Sequence, residues 1–360
     1  MERLIQNLAH GLDEFVELTV IGPKGCKAHL PAGIAVLEAP AALVPFLLQS
    51  TRMALVLCAR QRFDLIVGGS GLVAPTLRLL SLLRQCKTVL LIHGLDIVID
   101  NRIYRRVFLR AIRKMDRIVA NSSNTRRLAV EAGVDASRVC VINPGVGILQ
   151  PPDLQKRSGF LAESGIAFGH YIIFVGRLTK RKGLSRFLRD SFPHILKSQP
   201  ELGLVVVGEN PANSLNRLGE QAEVFQALKD TGLRHKVRFL GEVSDADLRA
   251  AYSDAEALIF PLVDVPGDVE GFGMVAVEAA ACGTPTVAFR LGGVEDAVSE
   301  QNGRLVAPGN YAEFTRAVVQ TIDSGLPGEA SCMAFAQGFS WDRYHAQVRE
   351  AISPLLNRPT

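Results

Sequence analysis

Two carboxylates lie eight positions apart around a glycine-rich segment in the C-terminal half of the chain. Glu270 precedes that segment, and Glu278 lies in the apolar run that follows it. Because eight residues span a little over two helical turns, the spacing predicts that both carboxylates face one side of a single helix. The amides of Phe272 and Gly273 would then lie in the first turn, where unpaired N–H groups bind anions. This pattern suits a diphosphate flanked by two polyols, as in a nucleotide sugar, although an ordinary helix with an acidic start has the same spacing.

A cluster of cations follows a predicted strand, Tyr171 to Val175. Four basic residues occur within the six positions from Arg177 to Lys182, directly after Gly176. A helical pattern begins at Leu184, so the cations lie at a strand-to-helix turn, where an open α/β sheet binds its ligand. Arg177 can donate two hydrogen bonds to phosphate oxygens, and Lys182 can act as a point charge.

A histidine follows another predicted strand, Thr88 to Ile92, in the N-terminal half. His93 is the first residue after this strand, and a polar residue at the carboxyl end of a parallel strand faces the ligand crevice. Asp96, three residues later, is expected either to orient His93 or to contact an acceptor. An isolated histidine is more often structural than catalytic, so a functional assignment depends on this position in the fold.

Taken together, these motifs resemble those of family 4 of the glycosyltransferases, a group of retaining enzymes with the GT-B fold. The resemblance is strongest between residues 171 and 308 and weaker in the N-terminal half. It is carried by Gly176-Arg177 through Lys182-Gly183, the Glu270 and Glu278 pair, Gly283-Thr284-Pro285-Thr286-Val287, and Gly292-Gly293.

The resemblance implies a role for each matching residue. It implies that Arg177 and Lys182 bind the donor diphosphate, that Glu270 contacts hydroxyls of the transferred sugar, and that Glu278 contacts the ribose. It also implies that His93 lies beside the donor sugar. The predicted catalytic residues are therefore His93, Arg177, Lys182 and Glu270, and the predicted donor-binding residues are Gly176, Arg177, Lys182, Glu270, Gly271, Phe272, Gly273 and Glu278.

The reaction that the resemblance implies is transfer of a sugar from a UDP-, GDP- or ADP-sugar, with retention of anomeric configuration. The acceptor would be a glycan, a lipid-linked sugar or a small molecule, in the assembly of cell-surface polysaccharide or glycolipid. The sequence identifies no carboxylate for a double displacement, so we expect a front-face route in which the leaving diphosphate helps to deprotonate the acceptor. Protein cations would stabilise the diphosphate, and neither a metal nor another cofactor is expected. The alternatives are a non-catalytic nucleotide-sugar-binding subunit and a nucleotide-sugar epimerase.

The elements that must position these residues are short β-branched strands that alternate with longer helical patterns. This alternation predicts an α/β fold, and 360 residues exceed what one hydrophobic core usually supports. We expect two Rossmann-like, doubly wound domains that face each other across a cleft, namely an acceptor-side domain at 1–147 and a nucleotide-sugar domain at 148–340. The linker would contain Asn143 to Gly147 and Pro151-Pro152. The resemblance implies that a last helix, 341–360, packs back on the first domain.

Six strands are predicted in each half. Those of the first half are Glu17 to Ile21, Ile34 to Glu38, Asp64 to Gly68, Thr88 to Ile92, Arg117 to Ala120 and Arg138 to Ile142. Those of the second half are Tyr171 to Val175, Gly203 to Val207, Val237 to Leu240, Ala257 to Phe260, Thr286 to Ala288 and Arg304 to Val306. Compared with the family, Met1-Glu2-Arg3-Leu4 begins inside the helix that follows the first strand. The first strand and its glycine-rich loop are therefore expected to be missing, through a misassigned or truncated start or in a catalytically reduced member.

Basic residues are concentrated in the first half. Residues 1–150 contain 19 Lys/Arg and 11 Asp/Glu, a net charge of +8, whereas the rest of the chain has a net charge of −4. The densest stretch runs from Arg102 to Arg117, where spacings of three and four residues predict a helix with a basic and an apolar face. The basic face is either an ordinary solvated surface or a site attracted to an anionic membrane surface. Nucleic acid is not an expected partner, because no binding motif is present.

The remaining patterns concern the cellular compartment. No signal-peptide pattern is visible, and the six cysteines show neither paired nor zinc-site spacing, which indicates free thiols in a reducing compartment. A cytoplasmic location is expected, with peripheral attachment to the inner face of the membrane as a further option. The longest apolar stretch, Ala39 to Ala59, is interrupted by Pro45 and Arg52, which favours a buried helix over a membrane span.

Overall fold

The computed structural model describes residues 2–147, 163–166, 168–209 and 220–356. The chain divides into two compact units: unit 1 comprises Met1–Gly145 and Trp341–Thr360, and unit 2 comprises Val146–Ser340. The expected boundary lay two residues later, at 147/148. Pro151-Pro152 of the expected linker lies outside the described residues.

Unit 1 contains two parallel sheets rather than the single sheet expected for the first half. Among the described residues, strands β1 and β2 pair only with each other, and a separate sheet has the order β3-β4-β5-β6. The ladder is divided because no strand in the described part of the chain joins β1 or β2 to β3. The strands of unit 1 are β1 (Thr19–Pro23), β2 (Ala35–Ala39), β3 (Leu65–Gly68), β4 (Lys87–Ile92), β5 (Arg117–Ala120) and β6 (Val139–Val141).

Unit 2 is built on one parallel sheet of six strands with the order β12-β11-β10-β7-β8-β9. The central strands are continuous apolar runs, because helices cover both faces of the sheet. The strands of unit 2 are β7 (His170–Val175), β8 (Leu202–Val207), β9 (Val237–Gly241), β10 (Ala255–Phe260), β11 (Thr286–Phe289) and β12 (Gly303–Val306). All twelve predicted strands are confirmed, with ends displaced by no more than two residues.

The α-helices surround these sheets. In unit 1 they are α1 (Glu2–Asp13), α2 (Leu43–Arg60), α3 (Ala74–Arg84), Leu95–Val98, Arg102–Tyr104, Arg110–Ile112, Ser123–Glu131 and Trp341–Leu356. In unit 2 they are Leu184–Asp190, Phe192–Ser198, Gln221–Thr231, Asp245–Ser253, Met274–Ala281, Val294–Ala297, Tyr311–Ser324 and Glu329–Gln337.

The last helix belongs to the core of unit 1. Leu4 and Leu8 of α1 pack with Tyr344 and Val348 of the Trp341–Leu356 helix, over Val89 of β4. The apolar positions of α1 recur every three or four residues, which is the pattern of a helix that buries one face. This cluster attaches the end of the chain to its beginning.

The basic stretch of unit 1 is shorter as a helix than predicted. A π-helical segment, Arg105–Leu109, joins the helices Arg102–Tyr104 and Arg110–Ile112, and we call these three segments the basic helix. Arg117 instead begins β5, so the predicted helical extent to Arg117 is wrong. The cause is Asp116, whose carboxylate accepts hydrogen bonds from the backbone N–H (2.9 Å) and the hydroxyl (2.8 Å) of Thr88 and so fixes the chain beside β4.

The prediction of a buried helix between Ala39 and Ala59 is also wrong. The helix is present as α2, but Cys58 is its only buried residue. By length and composition alone, α2 is apolar enough to cross a membrane. The prediction failed because the hydropathy of a segment depends only on its own composition, whereas its burial depends on which other elements cover it.

Candidate functional site

The predicted donor motifs of unit 2 follow two adjacent central strands, at the point where the sheet stops growing on one side of β7 and begins to grow on the other. From β7 the chain adds β8 and β9 on one side, then returns to add β10, β11 and β12 on the other. The segments that follow β7 and β10 therefore leave neighbouring central strands at the same edge of the sheet. Open α/β sheets bind ligands at such a switch point.

A compact ion-pair cluster fixes these two segments to each other. The Lys182 ammonium lies 2.7 Å from Oε2 of Glu270, and the Arg181 guanidinium contacts the same oxygen. Arg181 also donates from Nε to Asp268 Oδ1 at 3.0 Å, and its carbonyl accepts a hydrogen bond from the Val263 amide at 2.8 Å. All four charged side chains are largely buried. The loop after β7 and the loop after β10 are therefore joined by buried ion pairs and a backbone hydrogen bond.

The charges of this cluster control each other's protonation. Burial alone would raise the pKa of Glu270, but the neighbouring Lys182 and Arg181 outweigh it and lower the pKa to about 2. Burial lowers the pKa of Lys182, against the attraction of Glu270. The Lys182 ammonium also lies 4.5 Å from the centre of the Phe260 ring, which favours its charged form. Glu270 is thus a carboxylate across the physiological pH range.

Two of the four predicted cations are balanced inside the protein and two are exposed. Lys182 and Arg181 face Glu270 and Asp268, which gives two charges of each sign. Arg177 and Lys180 are exposed at the same turn. An incoming anion would therefore meet Arg177 and Lys180 as the outer, exposed positive charges.

Glu270 does not lie on the helix that carries Glu278, which corrects the prediction from their spacing. The helix begins at Met274, and Gly273 is its N-cap with φ of 104°. The expected first-turn amide of Phe272 instead precedes the helix, and the Phe272 side chain is buried in the core of unit 2. A left-handed glycine at this position breaks the helical path, so Glu270 lies four residues before the first helical residue.

A pair of glycines holds the Glu270 segment in place. The Gly293 amide donates to the Glu270 carbonyl at 2.8 Å. A Cβ atom on Gly293 would collide with the carbonyl oxygen of Gly271, so only glycine permits this approach. The Gly292-Gly293 motif is therefore a packing requirement for the loop that presents Glu270.

The other predicted residues of unit 2 have the following positions. Gly176 directly follows β7, and its amide donates to the Val207 carbonyl at 3.0 Å. A Cβ atom on Gly176 would lie 3.4 Å from Cε of Lys182. Glu278 is half-buried within the Met274–Ala281 helix. Burial raises the pKa of the Cys282 thiol to about 11, and the nearby charge of Glu278 adds to this effect. The assignments of Glu278 to a ribose and of Gly176 to a donor remain predictions.

His93 is held by a turn in unit 1. Its Nε2 lies 2.8 Å from the Gly69 carbonyl, so a proton on Nε2 would complete this hydrogen bond and leave Nδ1 as an acceptor. Asp96 is buried and accepts from the His93 amide (2.8 Å) and the Gly71 amide (2.9 Å). Asp96 therefore orients His93 through the backbone, and its oxygens are occupied by bonds within the turn. Contact of His93 with a sugar remains a prediction.

Sequence reasoning missed Arg181 and Asp268, which complete the cluster. A signal for both was present in the sequence. Asp268 and Glu270 are two positions apart, a spacing that places side chains on the same side of an extended segment, and Arg181 adjoins Lys182 within the cation run. Among the described residues, no group of three or more His, Cys, Asp or Glu side chains could hold a metal ion.

Comparisons with known protein families and structures agree with this architecture. The model for "Glycosyltransferase Family 4" matches residues 1–148, and that for "Glycosyl transferases group 1" matches residues 169–324. Among curated relatives, D-inositol 3-phosphate glycosyltransferase 2 of Catenulispora acidiphila is 31% identical over 66% of this chain and 56% of its own length. D-inositol 3-phosphate glycosyltransferase of Segniliparus rotundus is 32% identical over 68% of this chain and 55% of its own length. The chain thus spans about half the length of the curated relatives it matches.

Solved structures support the fold. HepE of Anabaena, crystallised in complex with UDP, has a TM-score of 0.77 at 22% identity and covers 98% of this chain and 96% of its own. A glycosyltransferase from Rickettsia africae has a TM-score of 0.79 at 18% identity, over 99% of this chain and 95% of its own. These likenesses show the GT-B fold, and the two family models match both halves of the sequence. The chain therefore belongs to family 4 of the glycosyltransferases.

Proposed function

We propose that this chain is a retaining glycosyltransferase that moves a sugar from a nucleoside-diphosphate sugar to a hydroxyl acceptor. The observation that carries the proposal is the buried cluster of Arg181, Lys182 and Glu270 at the switch point of unit 2. It combines fixed cations with a carboxylate that stays ionised. A sugar diphosphate requires this combination, because it presents anionic oxygens beside hydroxyl donors.

The arrangement of Glu270 supports a contact with the sugar. Both cations contact Oε2 of this carboxylate. Oε1 is then the oxygen that would accept hydrogen bonds from sugar hydroxyls. Arg181 serves as a positioning residue, since it ties Glu270 to Asp268 and to the loop after β10.

The reaction exchanges one bond to the anomeric carbon for another. The bond between the anomeric carbon and the diphosphate oxygen breaks, a bond to the acceptor oxygen forms on the same face, and the acceptor proton passes to the leaving diphosphate. Negative charge builds on the diphosphate, where Arg177, Lys182 and the amides that begin the Met274–Ala281 helix would stabilise it. These groups supply the electrostatic stabilisation, so the proposal includes no metal and no other cofactor.

The donor base and the acceptor are narrower parts of the proposal. HepE was crystallised with UDP and with UDP-glucose, which makes uridine nucleotides the first to test among uridine, guanosine and adenosine donors. The curated relatives are named for D-inositol 3-phosphate, a polyol phosphate. A glycan or lipid-linked acceptor in cell-surface polysaccharide or glycolipid assembly, at the cytoplasmic side of a membrane, completes the proposed setting.

Thermal-shift titration with UDP, GDP and ADP tests the donor site. A nucleotide at about a hundred times its Kd should stabilise the protein by about 2.7 kcal/mol. Arg177→Ala should weaken this effect without loss of basal stability, because Arg177 is exposed. Lys229→Ala, an exposed cation of unit 2 away from the switch point, is the matched control. If no nucleotide shifts the melting temperature, or if both variants respond alike, the assignment of the donor site is wrong.

Transfer itself requires a second assay. Transfer would be supported if release of the nucleoside diphosphate depends on both the donor sugar and an acceptor. Retention would be supported if the anomeric configuration of the product, determined by NMR, matches that of the donor. Donor binding without transfer or hydrolysis would instead favour the non-catalytic subunit. Interconversion of donor sugars without an acceptor would favour the epimerase.

A further inference from the structure

Exposed apolar side chains are concentrated in three helices of unit 1. In the described part of the chain, nine of the eleven large exposed apolar residues belong to α2, α3 and the basic helix. The other two are Phe225 and Leu326 in unit 2. The nine are Leu43, Val44, Leu48, Val56, Leu79, Leu82, Leu83, Ile103 and Val107. Concentration of this kind marks an interaction surface rather than the scattered apolar residues of ordinary surfaces.

The three helices are neighbours. α2 packs against α3, where the hydroxyls of Thr51 and Thr76 lie 2.6 Å apart, and α3 packs against the basic helix. Within each helix the exposed residues recur at helical spacing, as in Val44 and Leu48. Their spacings of three, four or eight residues place them on one side of each helix, as an outward apolar stripe. We call these stripes together the three-helix surface.

The same helices carry only positive charge. The segments 43–60, 74–84 and 102–112 contain eight arginines and no Asp or Glu. All of these arginines except the half-buried Arg78 are exposed. The eight are Arg52, Arg60, Arg78, Arg84, Arg102, Arg105, Arg106 and Arg110. Apolar side chains bordered by arginine are typical of helices that lie in the headgroup region of a bilayer.

Two other occupants fit the surface less well. A second copy would place eight arginines opposite eight arginines across a two-fold interface, and like charges in contact oppose association. A transmembrane insertion of α2 alone would have to detach it from β1, β2 and α3, against which it packs, and would place Arg52 in the hydrocarbon. An anionic bilayer would attract the arginines and accommodate the apolar stripes, and α2 would remain packed in unit 1.

We infer that the three-helix surface binds an anionic lipid bilayer, with apolar side chains of α2 and α3 among the acyl chains and arginines among the headgroup phosphates. The sequence pattern pointed only to the stretch from Arg102 to Arg117. The structure adds α2 and α3, which supply seven of the nine exposed apolar residues. This binding requires no catalytic step, so it stands or falls separately from the proposed transfer reaction.

Co-sedimentation with vesicles tests the inference. The intact chain should bind vesicles made of phosphatidylcholine and phosphatidylglycerol, and this binding should weaken as the salt concentration is raised. Binding to vesicles of phosphatidylcholine alone should be at least tenfold weaker. Arg84→Gln with Arg106→Gln should lower partitioning by about 25-fold, at about fivefold per arginine. Lys229→Gln with Arg316→Gln, two exposed cations of unit 2, gives the same charge change and should leave partitioning within about twofold.

The apolar half of the surface needs its own variants. Leu48→Gln with Leu82→Gln replaces side chains that are 70% and 62% exposed, so the fold should be retained. Partitioning should fall by at least about tenfold. Leu326→Gln, at a leucine that is 59% exposed in unit 2, is the control and should not affect binding. Melting curves of all variants check that they fold.

Three results would overturn the inference. The first is equal binding to neutral and anionic vesicles, and the second is equal binding by the surface variants and their controls. The third combines two observations: the intact chain does not bind vesicles, and it forms a dimer in solution that the double variant Leu48→Gln with Leu82→Gln dissociates. That result would assign the surface to a second copy. UDP binding, measured on the same samples, reports on unit 2 and should be unchanged in every variant.

Discussion

Replacing Glu270 by glutamine should destabilise the protein at neutral pH, because it removes the charge that balances Arg181 and Lys182. The pKa of Glu270 falls from 4.5 to about 2 on folding. At 1.36 kcal/mol per pKa unit, the ionised form therefore gains about 3 kcal/mol from its surroundings. This agrees with the 3–5 kcal/mol typical of breaking a buried ion pair by removal of one partner. Glu270→Gln should lower the free energy of unfolding by about that amount.

The pH dependence of this loss identifies its cause. A carboxylate whose pKa is lower in the folded state contributes its full stabilisation above the unfolded pKa and loses it as the pH falls through the folded pKa. For Glu270 this window runs from 4.5 down to about 2. The difference in stability between the wild type and Glu270→Gln should therefore be constant from neutral pH to about pH 5 and shrink below it.

Urea unfolding followed by circular dichroism at several pH values measures both quantities. The fluorescence of Trp341, the only tryptophan, reports on unit 1 and provides an internal reference. Glu300→Gln, at an exposed carboxylate of unit 2, is the matched control and should change the free energy of unfolding by less than about 0.5 kcal/mol. If Glu270→Gln costs no more than this control, or costs more as the pH falls, the ion-pair cluster does not exist in solution as described.

Three further changes test other parts of unit 2. Arg181→Met should cost about 3–5 kcal/mol in urea unfolding, because it leaves Asp268 without its buried cation; an effect as small as that of an exposed arginine would contradict its positioning role. Burial raises the pKa of Glu220 from 4.5 to about 7, so the protonated form is favoured on folding and stability should fall as the pH rises from 4.5 through 7. Glu220→Gln should abolish that slope, and an unchanged slope in melting temperature against pH would refute the assignment. Gly293→Ala should weaken nucleotide binding at least tenfold in the thermal-shift titration, because its Cβ collides with the loop that carries Glu270; unchanged binding would show that the loop can move away.

The strands were predictable because their signal is local. Runs such as Tyr171 to Val175 are apolar along their whole length, since a parallel sheet covered on both faces buries every side chain. Arg117 to Ala120 was also predicted to the residue, because Ile118 to Ala120 form a short buried apolar run after Arg117. The helix before it was overextended, because its end depends on Asp116 and Thr88, which are 28 positions apart in the sequence.

The candidate site was predictable in its composition but not in its contacts. The residue types near Lys182 and Glu270 led to the prediction of a donor-binding region, and the structure brings these two residues together. That the two side chains touch depends on the path of a loop 88 positions further along the chain, which no spacing rule gives. The helix start was misplaced because both Gly271 and Gly273 could begin it, and only the left-handed backbone at Gly273 decides between them.

The buried cluster also gives a reason why the proposed diphosphate site can be stable without its ligand. Unpaired cations buried at a switch point would each cost several kcal/mol in desolvation. Here Asp268 and Glu270 offset Arg181 and Lys182 within the protein, so these four side chains together carry no net charge. In the proposed site, the attraction for a diphosphate would then come from the exposed Arg177 and Lys180 and from the start of the Met274–Ala281 helix. In the proposed donor site, Arg181 and Lys182 hold the carboxylate, and the exposed Arg177 and Lys180 would attract the ligand. Lys182 would add to the stabilisation of the diphosphate only once the ligand is bound beside it.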